Sequence, residues 1–163
     1  MPRCRIMGLM PEYVRDYPRP PRVEPVAKRV KIVFNGETIA DTTHAQRVLE
    51  TFGAPVFYLP LEDVRRDLLT ETARNSVCEW KGLASYYSLR VGDRTLENVG
   101  WTYHDPKPGY EAIRDHVAFY CAPMDACYVG DEKARPQPGK YYGGWITNGV
   151  VGPFKGEPGT EGW

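Results

Sequence analysis

The chain has 163 residues, a length that suits one domain, and it carries 21 lysines and arginines against 21 aspartates and glutamates. The resulting formal net charge of zero argues against a general electrostatic attraction to nucleic acid or anionic membranes. No apolar run approaches the roughly 20 residues of a membrane span, and the first ten residues lack the apolar core of a secretion signal, so we expect a cytoplasmic protein.

Proline and glycine divide the chain into three parts. Six of the 15 prolines fall within residues 1–25, and eight of the 16 glycines fall within residues 134–163. Such segments favour turns and extended chain over regular elements. We therefore predict an extended N-terminal arm over residues 1–27, a β domain over residues 28–133 and a C-terminal arm over residues 134–163.

The first strand of the predicted β domain ends in a recognisable turn. Val30, Ile32 and Phe34 alternate with their neighbours, which is the pattern of a strand with one buried face. The pair Asn35-Gly36 follows, and both residues tolerate the positive φ angles of a type I′ hairpin. Residues 37–42 are the predicted returning strand.

The next segments mix strand and helix patterns. Residues 43–52 fit either a helical turn or a bulged strand, and the β-forming residues 54–60 that follow them favour the strand. Pro60 then opens a predicted short helix over residues 61–69, because proline is well tolerated at the start of a helix and acidic residues follow it there.

Later segments complete a mainly β pattern. Residues 84–91 and 95–103 read as strands joined at Gly92-Asp93, and residues 109–117 as a second short helix. Residues 117–121 and 126–132 are predicted to form another hairpin. About eight short strands with one or two short helices indicate an antiparallel sandwich or open barrel rather than a parallel α/β sheet.

No metal-binding pattern is recognisable. The cysteines Cys4, Cys78, Cys121 and Cys127 form no CxxC pair, and the histidines His44, His104 and His116 lack ligand spacing. Cys121 and Cys127 could meet across a hairpin, although free thiols are the usual state in the cytoplasm. We expect no metal and no cofactor.

Four blocks of the sequence resemble one known family. They are "YLPLEDV" (58–64), "CEWKGLASYYSL" (78–89), "GWTYHDPKPGYEAIRDHVAFY" (100–120) and "YYGGWITNGVVGPFKGEPGTEGW" (141–163). They resemble signature segments of the bacterial domain-of-unknown-function 427 family, which has also been labelled nucleotidyltransferase-like. The resemblance covers about residues 28–163.

The resemblance implies a β-tent fold, in which two antiparallel sheets are set at an angle, with one or two short helices. Zinc-carrying relatives of that architecture hold paired CxxC motifs, which this sequence lacks. The resemblance implies no established reaction. The nucleotidyltransferase label finds no support in the residues, because there is neither a P-loop nor an obvious pair of metal-binding aspartates on one strand.

Three residues are candidates for catalysis, and each also has a structural interpretation. A nucleophilic Cys78 needs a nearby cation or helix N-terminus, and Lys81 lies three residues on. Alternatively Cys78 fills core volume. Asp63 and Glu79 could form an acid–base pair, or Asp63 caps the short helix and Glu79 pairs with a basic side chain. The sequence leaves these alternatives open.

Aromatic residues give the clearest indication of a binding site. Trp101 and Tyr103 are two residues apart, so they face the same side of a strand. Lys81 offers a positive charge for a carboxylate or phosphate, and Gly82 permits close approach of a ligand or a neighbouring backbone. These rings could also be ordinary core. We predict an aromatic-lined pocket for an unidentified small molecule, formed by Tyr58, Asp63, Trp80, Lys81, Gly82, Trp101 and Tyr103.

The C-terminal arm is too rich in glycine for a helix, yet it holds five aromatic residues within 141–163. A disordered tail is normally poor in aromatic residues, so we expect the arm to pack on its own domain, exchange between two subunits, or cover the pocket. Three functions follow from these observations: a small-molecule-binding domain, an enzyme using Cys78 or Asp63 with Glu79, and an interaction module or homodimer.

Overall fold

The computed structural model describes residues 10–139, 141–161 and 163, and these residues are built almost entirely from strands and turns. The strands, in chain order, are β1 (Glu12–Tyr13), β2 (Arg22–Pro25), β3 (Val30–Phe34), β4 (Glu37–Thr42), β5 (Gln46–Leu49), β6 (Val56–Pro60), β7 (Leu69–Cys78), β8 (Gly82–Val91), β9 (Arg94–Thr102), β10 (His116–Phe119), β11 (Ala126–Val129), β12 (Glu132–Lys133), β13 (Arg135–Pro136), β14 (Trp145–Ile146) and β15 (Val150–Val151).

Two antiparallel sheets dominate the fold. The large sheet has seven strands in the order β2-β5-β6-β10-β9-β8-β7, and the small sheet has four in the order β12-β11-β3-β4. β2 and β7 are the two ends of the large sheet, which is therefore open. The prediction of a mainly β fold made of antiparallel sheets is confirmed.

The predicted turns between strands are also confirmed. Asn35 and Gly36 connect β3 to β4 with φ angles of 50° and 78°, as a type I′ turn requires. Gly92, with φ of 62°, lies in the turn between β8 and β9. In both places the residue type supplies the backbone conformation, so the local sequence alone was sufficient for the prediction.

The two predicted helical segments are present as short 3₁₀ turns. Residues 61–69 contain two separate 3₁₀ turns, Leu61–Asp63 and Arg66–Leu68, and residues 109–117 contain one, Glu111–Ile113. Isolated α-helical turns are costly to nucleate, and neighbouring strands take up the backbone groups on either side. The Leu61 N–H, for example, donates to the Asp115 carbonyl.

The predicted hairpin between residues 117–121 and 126–132 is wrong. β10 pairs with β6 and β9 in the large sheet, whereas β11 pairs with β3 and β12 in the small one. The connection crosses between sheets through a turn in which the Met124 N–H donates to the Cys121 carbonyl. Alternating apolar residues predict a strand, but they do not tell which sheet it joins.

The two faces of the large sheet have different surroundings. On β6, Phe57 and Leu59 pack into the core that the large sheet shares with Ile32 and Cys127 of the small sheet. Tyr58, between them, points to the opposite face and belongs to a separate cluster of aromatic side chains. This division follows from the period of two along a strand, and it places the aromatic cluster outside the main core.

The segments at both ends of the described chain pack on this framework. β2 is an edge strand of the large sheet, and β1 pairs in parallel with β15. Trp145, which is fully buried, donates its indole N–H to the Phe119 carbonyl at 3.0 Å. Residues 1–9 of the predicted N-terminal arm lie outside the described residues. No helix in the described part of the chain is long and apolar enough to span a bilayer.

Candidate functional site

An open cleft of about 330 Å³ lies on the aromatic face of the large sheet. Strands β5, β6, β8 and β9 supply its floor, and residues 141–144, here called the strap, form one wall. Seven aromatic side chains line the cleft together with two lysines and one glutamate: Tyr58, Tyr86, Trp101, Tyr103, Tyr120, Tyr141, Tyr142, Lys81, Lys155 and Glu50. The predicted aromatic cluster is therefore confirmed.

The floor of the cleft is organised around Trp101. Its indole N–H donates to the Tyr58 hydroxyl at 3.3 Å, and its ring centroid lies 4.7 Å from that of Tyr120. Tyr58 and Tyr103 have ring centroids 6.3 Å apart, and Tyr86 lies 6.5 Å from Trp101. In all three pairs the ring planes are tilted relative to each other, an arrangement that aromatic quadrupoles favour.

Lys81 is the buried charge of this site, with only 9% of its surface exposed. The one hydrogen bond that its side chain makes to the described residues goes from Nζ to Cys78 Sγ at 3.3 Å. Nζ also lies 5.8 Å from the centre of the Tyr103 ring, close enough for a cation–π contact. A sulfur atom is a weak acceptor, so two of the three ammonium donors are left for another partner.

Burial alone lowers the pKa of Lys81, but Tyr58, Cys78 and Glu50 outweigh it and the net shift is upward. The side chain is therefore an ammonium at neutral pH. Burial raises the pKa of Tyr58 and of Tyr103, so both phenols keep their protons in the same range. The site thus presents one buried positive charge among neutral aromatic walls.

The strap approaches the floor so closely that two of its positions have no room for a side chain. A Cβ on Gly143 would overlap the Trp101 ring, and a Cβ on Gly144 would overlap the Ala54 carbonyl oxygen. Gln137, just before the strap, accepts from the Ala54 N–H and donates to the Lys155 carbonyl, both at 2.9 Å. These contacts fix the strap as part of the cleft.

The other predicted binding residues lie in different places. Trp80 is in the turn between β7 and β8 rather than on a strand, and it packs half-buried against the aromatic cluster. Gly82 has φ of 110°, and a Cβ there would stand 3.5 Å from the Asp105 carbonyl oxygen and from Lys107. Gly82 therefore faces residues 105–107 rather than the cleft, and its positive φ, rather than a lack of space, favours glycine there.

Asp63 lies away from the cleft. It lines a shallow hollow beside β4 and accepts a hydrogen bond from the Thr42 hydroxyl at 2.7 Å. Glu79 is exposed in the turn after β7, where its backbone carbonyl accepts a hydrogen bond from Lys107 Nζ at 3.0 Å. The structure does not bring these two carboxylates together, whereas it does bring Cys78 to Lys81.

Several residues of the cleft were missed by the sequence reasoning. Tyr120 lies beside Trp101 because β10 pairs with β9, and this pairing is not encoded locally. Tyr86 was inside a predicted strand. It is two residues from Ala84, so the two side chains are expected on the same face of that strand, and both belong to the aromatic cluster. Glu50 and Lys155 carried no pattern that separates them from other surface charges.

Cysteine and histidine positions provide no metal centre among the described residues, since no three potential ligands converge there. Cys121 and Cys127 lie close together in the main core, where Cys121 Sγ donates to the Ala134 carbonyl at 3.7 Å. The neighbouring Cys127 thiol lowers the pKa of Cys121, and the Cys121 thiol together with burial raises the pKa of Cys127. The described cysteines are free.

One family model matches the chain over residues 22–130, well over half of its length, and it is described as "Domain of unknown function (DUF427)". The match includes Tyr58, Lys81, Trp101 and Tyr103 but ends before the strap. No curated protein matches the sequence.

Proposed function

Because the chain belongs to the domain-of-unknown-function 427 family, whose description names no activity, we propose a function from the cleft: binding of a small ring-shaped anion. The aromatic floor stacks on the ring, and the Lys81 ammonium pairs with a carboxylate or phosphate group. The dimensions suit such a molecule, since ligand sites usually begin at about 300 Å³.

The observation that carries the proposal is the incomplete pairing of Lys81. A buried ammonium is costly unless it is paired, and a carboxylate is its normal partner in proteins. None of the ion pairs among the described residues includes Lys81, and its side-chain hydrogen bond goes to a sulfur atom rather than to a carboxylate. An anionic ligand supplies the missing charge at the position where the protein leaves two N–H donors.

Glu50 lines the same cleft as Lys81, and its charge raises the pKa of Lys81. Its carboxylate competes with an anionic ligand for the ammonium. Glu50→Gln is therefore expected to strengthen anion binding, and this opposite response separates a charge effect from a loss of shape.

The test uses four compounds that share a phenyl ring and differ in the charge of the substituent: the anions benzoate and phenyl phosphate, neutral benzamide and cationic benzylamine. Calorimetric titration measures each affinity, and tryptophan fluorescence reports on Trp101. We expect both anions to bind, benzamide to bind about tenfold more weakly and benzylamine to show no binding, since hydrogen bonds to a charged group contribute about 1.5–3 kcal/mol. The ratio of the affinities for benzoate and phenyl phosphate shows whether the site prefers a carboxylate or a phosphate.

Lys81→Met is the decisive variant, because methionine keeps the apolar stem and removes the charge. We expect it to remove the preference for anions over benzamide. Lys107→Met is the matched control, since Lys107 is exposed near the same turn and does not line the cleft. The proposal fails if no anion binds, or if Lys81→Met keeps the same preference.

A second candidate function, thiol chemistry at Cys78, is favoured by one observation: the 3.3 Å contact between its sulfur and Lys81 Nζ. An ammonium at this distance would stabilise negative charge on the sulfur. Its test is the selective labelling of Cys78 described in the Discussion.

A further inference from the structure

A second hollow, of about 440 Å³, lies next to the cleft on the other side of the strap. Its walls are mostly apolar and come from β9, from the turn after β10 and from β13; they include Leu96, Val99, Pro123 and Pro136. A hollow of this kind has room for an unbranched or cyclic hydrocarbon group.

Most polar groups at this hollow already have partners. The Asn98 side-chain oxygen accepts from the Thr72 hydroxyl at 2.6 Å, and the Asn98 N–H donates to the Ser88 hydroxyl at 3.0 Å. The Gln137 amide uses both its ends on backbone groups of Ala54 and Lys155. The exposed Glu97 carboxylate also lines the hollow, but most of the remaining surface is apolar, which favours a hydrocarbon over a polar occupant.

The hollow is continuous with the cleft through shared walls. Tyr120, Gln137, Tyr142 and Gly144 line both. The ring of Tyr120 lies 4.7 Å from that of Trp101, so one row of aromatic surface leads from the floor of the cleft to the hollow. Tyr142, which is 37% exposed, is one of the walls that the cleft and the hollow share.

We infer that the ligand of this protein is amphipathic: an anionic ring in the cleft at Lys81, with an apolar tail of about four to six carbons in the hollow beyond Tyr142. This inference rests on the proposed anion-binding function and adds the chemical class of the ligand. The cleft alone accounts for the charge and the ring of the ligand, whereas the apolar hollow, which shares four lining residues with the cleft, accounts for the tail.

The experiment compares benzoate with 4-butylbenzoate and 4-hexylbenzoate on the full-length protein by calorimetric titration. Full burial of each methylene strengthens binding by about fourfold, and we expect the butyl compound to bind at least about twentyfold more tightly than benzoate, since part of the tail stays in contact with water.

Ala122 provides the variant, because it lines the hollow, is exposed and contributes nothing to the core or to the cleft. Ala122→Glu places a carboxylate beside the tail and is expected to remove most of the gain from the butyl group without changing the affinity for benzoate. Ala122→Leu is the matched control, and it is expected to keep or increase that gain.

The outcomes separate the two proposals. If benzoate binds through Lys81 but the alkyl tails add no affinity, or if Ala122→Glu weakens benzoate and 4-butylbenzoate equally, the amphipathic ligand is overturned and anion binding stands. If neither benzoate nor the alkyl compounds bind, both proposals fall. The inference is supported if the alkyl tails increase the affinity, and if Ala122→Glu removes this increase while Ala122→Leu keeps it.

Discussion

Gly143 lies directly against the Trp101 indole, and the ring occupies the space that a side chain at residue 143 would need. Gly143→Ala therefore forces the strap or the ring to move, and we expect the free energy of unfolding to fall by about 1–3 kcal/mol. Chemical denaturation measures this change. Gly149→Ala is the matched control, because a Cβ there meets nothing within 4 Å. Equal losses in the two variants would disprove the contact.

The buried phenol of Tyr103 predicts a loss of stability in alkali. Burial raises its pKa in the folded protein, whereas in the unfolded chain it deprotonates near pH 10. The unfolded state then binds fewer protons, so stability that is present below pH 10 falls as the pH rises above it. Tyr103→Phe should reduce this slope by up to about 1.4 kcal/mol per pH unit.

Urea unfolding at pH 9, 10 and 11 checks this expectation. Tyr141→Phe serves as the control. Tyr141 is 82% exposed, so its replacement should leave the dependence of stability on pH unchanged. Identical pH profiles for the wild type and Tyr103→Phe would mean that the Tyr103 hydroxyl is solvated.

The C-terminal segment contributes to stability through Trp145. The ring is buried 5.1 Å from that of Phe57, and its N–H bonds to the Phe119 carbonyl. Trp145→Ala should cost about 3–5 kcal/mol, as for other large buried aromatic side chains. Trp163→Ala, at a half-exposed position against Phe52, should cost less than about 1 kcal/mol. Denaturation curves that coincide for both variants would contradict the packing described.

Cysteine labelling should separate the thiols by position. Cys78 is half-buried beside the cleft, whereas Cys121 and Cys127 are buried in the main core. In a Cys4→Ser background, which removes a thiol outside the described residues, a thiol-specific reagent should modify Cys78 in the native protein and the other two only after denaturation. Mass spectrometry of peptides identifies the sites. Labelling of Cys78 only in denaturant would assign it a structural role and remove the second candidate function.

Local sequence was sufficient for much of the fold. Asn35-Gly36 specifies its own turn, and the alternation of Val30, Ile32 and Phe34 specifies a strand with one buried face. The same period of two placed Trp101 and Tyr103 together on one face. In each case the relevant neighbours are a few residues apart, so the pattern contains the whole physical cause.

The parts that the sequence did not provide depend on contacts between distant segments. Tyr120 reaches Trp101 through the pairing of β9 with β10, and the strap reaches the same ring through Gly143, which lies more than 40 residues further along the chain. Asp63 was grouped with the aromatic residues on chemistry alone, although its partner, Thr42, comes from β4. Pairing between distant segments is set by the global packing, which no local pattern records.

The division of β6 between the two faces of the large sheet has a practical consequence for protein engineering. Substitutions at Tyr58 change the cleft, while Phe57 and Leu59, which point the other way, continue to hold the sheets together. Tyr86 and Trp101 on the neighbouring strands lie on the same face as Tyr58. Because all three side chains are themselves buried, exchanges among aromatic residues of similar volume are the substitutions expected to reshape the cleft and leave the domain folded.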